Sequence, residues 1–224
     1  MDRTLNICLI SQEFPPHTHW GGMGVSTYAQ AEGYARRGHR VIVVSRQSKG
    51  APPRETREPG FTVYRVGVPI LRKRFVGRTL DRVLHARAVA RLVRELDRDQ
   101  RFDVLETAEA GLEGERLLRD PDFVKRMIIH CHGSNAQWQV SGGSLAFLHR
   151  LDVGWALRRE LDGLARVPHI IVGSQATTRI LIQQGVDQRK IVCIYHGIDS
   201  AQFHPPISPR MGKLRVGFSG RLDL

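Results

Sequence analysis

The sequence has few cysteines and no long apolar run. Its three cysteines, Cys8, Cys131 and Cys193, stand far apart inside apolar segments and form no CxxC pair. This pattern argues against a disulfide framework and a zinc site, and it indicates buried, reduced thiols in a cytoplasmic protein. Because the sequence has no stretch of about 18 apolar residues, we expect no transmembrane helix. No basic segment precedes a long apolar core near the N-terminus, so we also expect no secretory signal.

Acidic residues are scarce relative to basic ones. Lys and Arg number 34 against 22 Asp and Glu, a net charge of +12 at pH 7, which favours a polyanionic partner. Residues 71–98 carry many arginines on an amphipathic pattern, typical either of a helix on an anionic membrane or of a solvated helix face. No nucleic-acid-binding module accompanies the charge, so we expect no nucleic-acid partner. We expect a cytoplasmic protein, with residues 71–98 as its candidate contact with the inner face of a membrane.

Short apolar runs alternate with helical patterns over residues 1–197. The strand-like runs lie at 6–11, 40–45, 61–66, 102–107, 125–131, 169–174 and 190–195. Helical spacing covers about 24–37, 78–98, 144–166 and 176–185, and residues 46–60 resemble a loop. This alternation predicts an α/β fold, a Rossmann-like parallel sheet with helices on both faces. The proline-containing residues 198–212 resemble an interdomain linker, and residues 213–224 resemble the first strand of a second, truncated domain.

A glycine-rich turn follows the first predicted strand. Gly21, Gly22 and Gly24 precede a predicted helix, where glycines let backbone approach a ligand and free N–H groups attract phosphate. The alternative is a tight turn that needs glycine for positive φ. The segment matches neither GxGxxG nor the P-loop pattern, which argues against a nicotinamide-dependent oxidoreductase.

Two histidines mark the end of the strand predicted at 125–131. A period of two places His130 and His132 on the same face, with His132 nearer the strand end, where sites of parallel sheets form. His132 could bind a sugar hydroxyl, orient a phosphate or take a proton, or it could simply be bonded to backbone groups. His130 resembles a core or support residue. A metal site would need a third ligand, and no residue at a convincing spacing supplies one.

Further polar residues flank predicted strand ends. Glu106 and Glu109 could bind sugar hydroxyls or could be charges at a helix start. His19 and Trp20 precede the glycine turn, where an aromatic ring could stack on a sugar or be an ordinary loop residue. Ser174 is expected to cap the helix that follows it.

Taken together, these segments resemble the retaining glycosyltransferases of family four, which have the GT-B fold. The resemblance covers nearly the whole chain and is carried by order and spacing. Its segments are ICLISQEFPP, GGMGVSTYAQAEGYARRGHRVIVVS, HCHGSN, IIVGSQATTRIL, IVCIYHGIDSAQFHP and VGFSGRLDL.

The resemblance implies a site in a cleft between two Rossmann-like domains, with this chain supplying the acceptor side. It implies His132 as the catalytic histidine near the transferring sugar. Contacts with the donor phosphates are assigned to Gly21, Gly22, Gly24 and Arg221. Contacts with the acceptor are assigned to His19, Trp20, Glu106 and Asn135.

The resemblance also implies the reaction and its partners. A hexosyl group would pass from a nucleotide sugar to a glycan, lipid-linked or small-molecule acceptor with retention, and the enzyme would need neither a metal nor another cofactor. The expected lysine and the Glu-rich donor motif would fall beyond Leu224, so we expect the isolated chain to be inactive. The alternative is a non-catalytic domain of GT-B origin that binds a glycan, a lipid or a partner chain.

Overall fold

Eight strands form one sheet in the computed structural model, which describes residues 3–17, 21–67, 76–109, 113–133 and 147–198, with the side chains of 76–79 and 147–153 left aside. The strands are β1 Asn6–Ile10, β2 Arg40–Arg46, β3 Arg54–Arg57, β4 Phe61–Val66, β5 Val104–Ala108, β6 Met127–Cys131, β7 His169–Val172 and β8 Ile191–Cys193. Their order is β3-β4-β2-β1-β5-β6-β7-β8. Every neighbouring pair is parallel except β3 and β4. The predicted parallel α/β sheet is therefore confirmed.

Strand β3 corrects the loop predicted over residues 46–60. It pairs antiparallel with β4 at the edge of the sheet, with Glu55 opposite Val63. Its sequence, RETR, lacks the apolar alternation by which strands are recognised. A charge pair across the two strands holds it instead, because Glu55 accepts hydrogen bonds from the guanidinium group of Arg65 on β4 and from that of Arg57 on its own strand. The histidines consequently follow the sixth strand, where the sequence suggested the fifth.

The helices lie where the sequence predicts them. They are α1 Gly22–Arg36, α2 Val76–Asp99, α3 Pro121–Val124, α4 Phe147–Arg166 and α5 Gln175–Gln183, with short 3₁₀ turns at Leu117–Arg119 and Gln188–Lys190. Gly38 follows α1 with a φ of 83°, the left-handed conformation common after helix ends. Ser174 caps α5, since its Oγ accepts a hydrogen bond from the Thr177 N–H at 3.1 Å.

The helices divide unequally between the faces of the sheet. Helix α1 connects β1 to β2, a step across the sheet toward the β3 edge. Helices α2, α4 and α5 connect strands that step across the sheet in the opposite direction, toward the β8 edge. Right-handed crossovers therefore place α1 on one face and the others on the opposite face. The buried clusters agree, because Ala31 of α1 packs with Ile7 and Leu9, whereas Val89 of α2 packs with Cys8.

Helix α2 is rotated relative to the predicted apolar face. The pattern picked out Leu80, Val83, Leu84, Ala88, Leu92 and Leu96. The residues that are almost fully buried are His85, Ala86, Val89, Ala90 and Val93. Leu80 is 43% exposed, and Ala88, Leu92 and Leu96 pack at the margin of the core. Short side chains occupy the centre of this contact, so the largest apolar residues lie beside it.

The face that carries α1 is open over β6 to β8. On these strands His130, Ile171 and Val192 are neighbours in register and point away from the cluster that packs against α2. None of the described helices covers this area, and Val192 and Ile194 are 50% and 53% exposed. The open area lies beside α1 and reaches the carboxyl edge of the sheet.

All three cysteines are free thiols. Cys8 and Cys131 are buried and Cys193 is half-buried, so the expected reduced cysteines are confirmed. Burial raises the pKa of the Cys131 thiol well above its ordinary value, and the nearby Glu109 and Glu160 add to the rise. Among the described residues, no helix is both long and apolar enough to cross a bilayer.

Candidate functional site

The glycine turn makes room for the loop that follows β1. Gly21 is the N-cap of α1 with φ −81° and ψ 163°, ordinary extended backbone. A Cβ on Gly24 would lie 3.0 Å from Glu13 Cβ and 3.3 Å from the Glu13 carbonyl carbon, and one on Gly21 would meet the Glu13 carboxylate. The alternative of a turn that requires positive φ is therefore wrong. Among the described residues, positive φ occurs at Gly38, Gly50, Gly60 and Gly185.

The start of α1 is open to a ligand at Gly22. Apart from the two chain neighbours and the helix backbone, no atom of the described residues lies within 4 Å of the place where a Cβ on Gly22 would stand. The N-cap supplies no side-chain hydrogen bond, and the first turn contains no acidic residue. The free N–H groups and the positive end of the helix dipole can therefore attract an anion, in competition with the Glu13 carboxylate beside Gly21.

Three histidine rings stand side by side at the carboxyl ends of β6 and β8. The rings of His130 and His132 stack with centroids 4.2 Å apart and an interplanar angle of 23°. The His196 ring lies 6.1 Å from the first and 6.0 Å from the second, each at an interplanar angle of 13°. Gly173 makes room for it, because a Cβ there would lie 2.9 Å from His196 Nε2. No described group of three or more His, Cys, Asp or Glu residues has a geometry that could hold a metal ion.

Glu106 supports this stack from the neighbouring strand. Its Oε1 accepts hydrogen bonds from His130 Nδ1 at 2.8 Å and from Gln30 Nε2 of α1 at 2.7 Å. The Glu106 and His130 side chains are each 8% exposed. Glu106 lies within β5, so its interpretation as a helix-start charge is wrong. His130 is buried, which agrees with its interpretation as a core or support residue.

Glu109 holds the backbone at the end of β6. Its fully buried carboxylate accepts the His132 N–H at 2.9 and 3.0 Å and the Gly133 N–H at 2.6 Å. The helix-start interpretation is wrong here too, since the carboxylate binds the N–H groups of a strand end. Glu109 thereby fixes the direction in which the chain leaves β6 and presents the His132 side chain.

His132 is neutral at physiological pH. Burial, together with the neighbouring His130 and His196, lowers its pKa to about 4, and Glu106 acts in the opposite direction. A neutral imidazole both donates and accepts a hydrogen bond, so His132 can engage a hydroxyl group without presenting a positive charge.

A cleft of about 1180 Å³ joins these elements. The α1 side contributes Gly22, Met23, Val25, Ser26, Ala29, Gln30, Gly33, Tyr34 and Arg37. The sheet side contributes His130, His132, Gly133, Ile171 and residues 194–198. The cleft thus combines an open helix N-terminus, three histidines and an apolar floor, a combination suited to an organic ligand with an anionic end.

The family follows from the sequence as a whole. The model described as Glycosyltransferase Family 4 matches residues 20–202. The chain belongs to this family. No curated protein matches the sequence.

Solved glycosyltransferases share the fold of this family-4 chain. A sucrose-phosphate synthase of Thermosynechococcus elongatus superposes with a TM-score of 0.67 at 14% identity, over 89% of this chain and 50% of its own. The catalytic domain of Arabidopsis thaliana starch synthase IV, bound to ADP and acarbose, gives 0.61 at 14% identity, over 89% and 53%. Anabaena HepE, in complex with UDP and glucose, gives 0.55 at 18% identity, over 88% and 46%. The chain therefore spans about half the length of these structures and has the fold of a GT-B domain.

The structure brings together part of the predicted family-4 site. Gly22, His130 and His132 line the cleft, and Glu106 lies beneath them. Gly21 and Gly24 lie against Glu13 and do not line the cleft. The predictions for His19, Trp20, Asn135, Arg221 and residues 199–224 lie outside the described residues.

The sequence did not single out two residues of this arrangement. His196 was noticed only as part of a linker, although the end of β8 lies next to β7 and close to β6. Gln30 lay on a predicted helix without any motif. The strand order would have indicated His196, because carboxyl ends of neighbouring parallel strands meet at one edge.

Proposed function

We propose that this chain is the acceptor-side domain of a retaining glycosyltransferase that moves a hexosyl group from a nucleotide sugar to a glycan, lipid-linked or small-molecule acceptor. The carrying observation is that Gly22, at the open start of α1, and His132 face one cleft. The family match supports sugar transfer. The UDP, ADP and sugars bound by the similar structures support a nucleotide-sugar donor.

Gly22 supplies the phosphate side of the proposed site. A diphosphate can approach the backbone there because no side chain intervenes. The helix dipole favours its negative charge, and the first turn itself contains no acidic residue, although the Glu13 carboxylate lies beside Gly21. Arg221, outside the described residues, is the proposed second phosphate contact, and Gly21 and Gly24 act through the shape of the turn.

His132 supplies the sugar side. Its neutral ring can bond a hydroxyl of the transferring sugar, and Glu109 fixes its backbone so that this bond needs little reorganisation. We propose that Glu106 contacts the acceptor. The other proposed acceptor contacts, His19, Trp20 and Asn135, lie outside the described residues. The donor is a substrate here, and the proposal includes neither a resident cofactor nor a metal.

Sugar transfer by the product of the complete reading frame tests the function. With a panel of nucleotide sugars, we expect turnover that falls by about a hundredfold or more in His132→Ala, the cost of removing one preorganised hydrogen bond. His169→Ala is the matched control, because His169 is exposed at the amino end of β7. Product stereochemistry decides retention. Absence of turnover with every donor would favour the non-catalytic binding domain.

The isolated 224 residues are proposed to be inactive, since they span about half the length of the matched enzymes. Robust turnover by this chain alone would contradict that proposal.

The proposed partner surface is an anionic membrane that contacts residues 71–98 of a cytoplasmic enzyme. Within this segment, Arg87, Arg91, Arg94 and Arg98 recur every three or four residues and so share one face of α2. Two further arginines add to it, since the pKa of Arg116 is lowered by burial and by the nearby charges of Arg119 and Arg87. Arg91 is paired with Glu95, and the remaining excess of positive charge on this face attracts anionic headgroups.

Vesicle sedimentation tests this surface. We expect binding to phosphatidylglycerol vesicles at low salt, weak binding to phosphatidylcholine, and a loss in Arg87→Glu/Arg98→Glu. Arg189→Glu is the control, because this exposed arginine lies in the turn before β8 and is paired with Asp187. Equal binding to both vesicle types would favour the solvated-face alternative.

A further inference from the structure

His130 has a buried nitrogen that the support role leaves unexplained. Its Nδ1 bonds Glu106, but its Nε2 is buried without a hydrogen-bond partner. The side chain is 8% exposed, so bulk water does not satisfy this atom. Buried polar atoms in native structures are nearly always bonded, so an exception on the wall of a cleft calls for a ligand.

Glu106 determines the chemical state of that nitrogen. A carboxylate only accepts hydrogen bonds, so the proton of a neutral His130 ring is on Nδ1, which donates to Glu106 Oε1. Nε2 is then an acceptor with an in-plane lone pair. The His132 ring stacks on the face of His130 at 4.2 Å, so it does not itself occupy the in-plane direction of this lone pair.

The position of His130 connects this lone pair with the cleft. His130 lines the cleft together with His132, Gln30 and Ile171. We infer that His130 is a second ligand-binding histidine, whose Nε2 accepts a hydrogen bond from a hydroxyl of a sugar in the cleft. The inference rests on the proposed function, because it takes the ligand to be a sugar. This contact would add to that of His132, and the His130 Nε2 of this tautomer could only accept a hydrogen bond from the sugar.

A purely structural role accounts poorly for a histidine here. Its register neighbours are Ala108 on β5 and Ile171 on β7, so an apolar side chain would suit the sheet. A buried Glu–His pair costs desolvation that apolar packing avoids. The support of His132 by stacking needs only an aromatic ring, whereas the Glu106 bond selects a particular tautomer.

The first measurement is the tautomer of His130 in the 224-residue chain. Long-range ¹⁵N NMR of histidine-labelled protein distinguishes a protonated Nδ1 from a protonated Nε2. We expect Nδ1–H with an unprotonated Nε2. A dominant Nε2–H form would overturn the inference, because the nitrogen that lacks a partner would then be a donor.

The second measurement is sugar binding by the same chain. Glucose, galactose, mannose and N-acetylglucosamine are titrated while the His130 Nε2 and His132 signals are followed. We expect a saturable shift of the His130 Nε2 signal with at least one sugar. A buried water in place of a sugar hydroxyl would leave that signal unchanged and would overturn the inference.

Two isosteric variants separate ligand contact from support. His130→Asn places a donor near the position of Nδ1 and keeps the Glu106 bond, but it removes the acceptor at Nε2. His130→Gln places an amide oxygen near Nε2. We expect His130→Asn to weaken sugar binding about tenfold, the factor of one hydrogen bond of ~1.4 kcal/mol, and His130→Gln to weaken it less.

The possible failures of this inference differ from failure of the proposed function. If His132 responds to a sugar and His130 does not, or if His130→Asn binds as the wild type does, His130 is a support residue only and the glycosyltransferase proposal stands. If neither ring responds to any sugar, this inference fails, and the transfer assay with His132→Ala decides the function separately.

Discussion

Removal of the Glu109 carboxylate should destabilise the end of β6 by several kcal/mol. The carboxylate is fully buried and accepts the N–H groups of His132 and Gly133 at 2.6–3.0 Å. A hydrogen bond to a charged group contributes ~1.5–3 kcal/mol, so two of them give roughly 3–6 kcal/mol for Glu109→Ala. Glu109→Gln keeps one accepting oxygen and should therefore cost roughly half as much. The remaining cost arises because the NH₂ group of the glutamine faces a backbone N–H donor.

Urea unfolding and amide exchange measure the effect. The His132 and Gly133 amides should lose protection in Glu109→Ala more than amides in the middle of β6. Glu95→Ala is the control, because Glu95 is 51% exposed and its pair with Arg91 lies on the surface. An exposed pair contributes at most ~1 kcal/mol. If Glu109→Ala costs no more than the control and both amides stay protected, the carboxylate does not hold the strand end.

Three further predictions concern titration and capping. The His132 ring should stay neutral until the pH falls to about 4, as ¹⁵N NMR would show. Because the unfolded ring titrates near ~6.5, the unfolded state binds the proton first and stability should fall as the pH decreases through that window; a ring that titrates near 6.5 in the folded protein would contradict this. Burial raises the pKa of Glu113 to about 8, whereas the unfolded carboxyl titrates near ~4.5. The contribution of the protonated Glu113 to stability is therefore complete below ~4.5 and is lost as the pH rises through about 8. Glu113→Gln should remove that loss, and unchanged pH profiles of the melting temperature would refute it. Ser174→Ala should cost ~1 kcal/mol in urea unfolding, because it removes the bond to the Thr177 N–H; no change would show that the cap contributes nothing.

The sequence predicts most of the sheet because its strands are apolar and buried. Runs such as RVIVVS and KRMIIHC stand out from the amphipathic helices between them, and a parallel sheet follows from their alternation. Strand β3 has no such signal, since its stability comes from contacts of Glu55 with Arg57 and Arg65. A pairing that depends on charges across a hairpin is visible only after the neighbouring strand is known.

The rotation of α2 shows a second limit of prediction from the sequence pattern. Large leucines dominate an apolar pattern, but the close approach of this helix to the sheet selects Ala86, Ala90 and two valines. Helical periodicity identifies which residues share a face. It does not identify how closely that face approaches the sheet, which depends on the side chains of the other elements.

The candidate site was predictable in position and less so in chemistry. Strand ends and a glycine turn indicated Gly22 and His132, and both line the same cleft, because sites of parallel sheets gather at one edge. Glu109 was noticed as a charge, but its bonds to the end of β6 depend on the register of two strands that are distant in sequence.

The pair His130 and His132 shows why a motif alone leaves chemistry open. Two histidines at a spacing of two are compatible with a metal chelate, a stacked pair or two separate ligand contacts. Glu106 reduces the number of these possible arrangements, because it binds His130 Nδ1 and leaves only Nε2 for other partners. The parallel rings reduce this number again, since stacked rings do not direct their nitrogens to a common point. The chemistry available to a histidine at a strand end is therefore set by the residue beside it on the next strand.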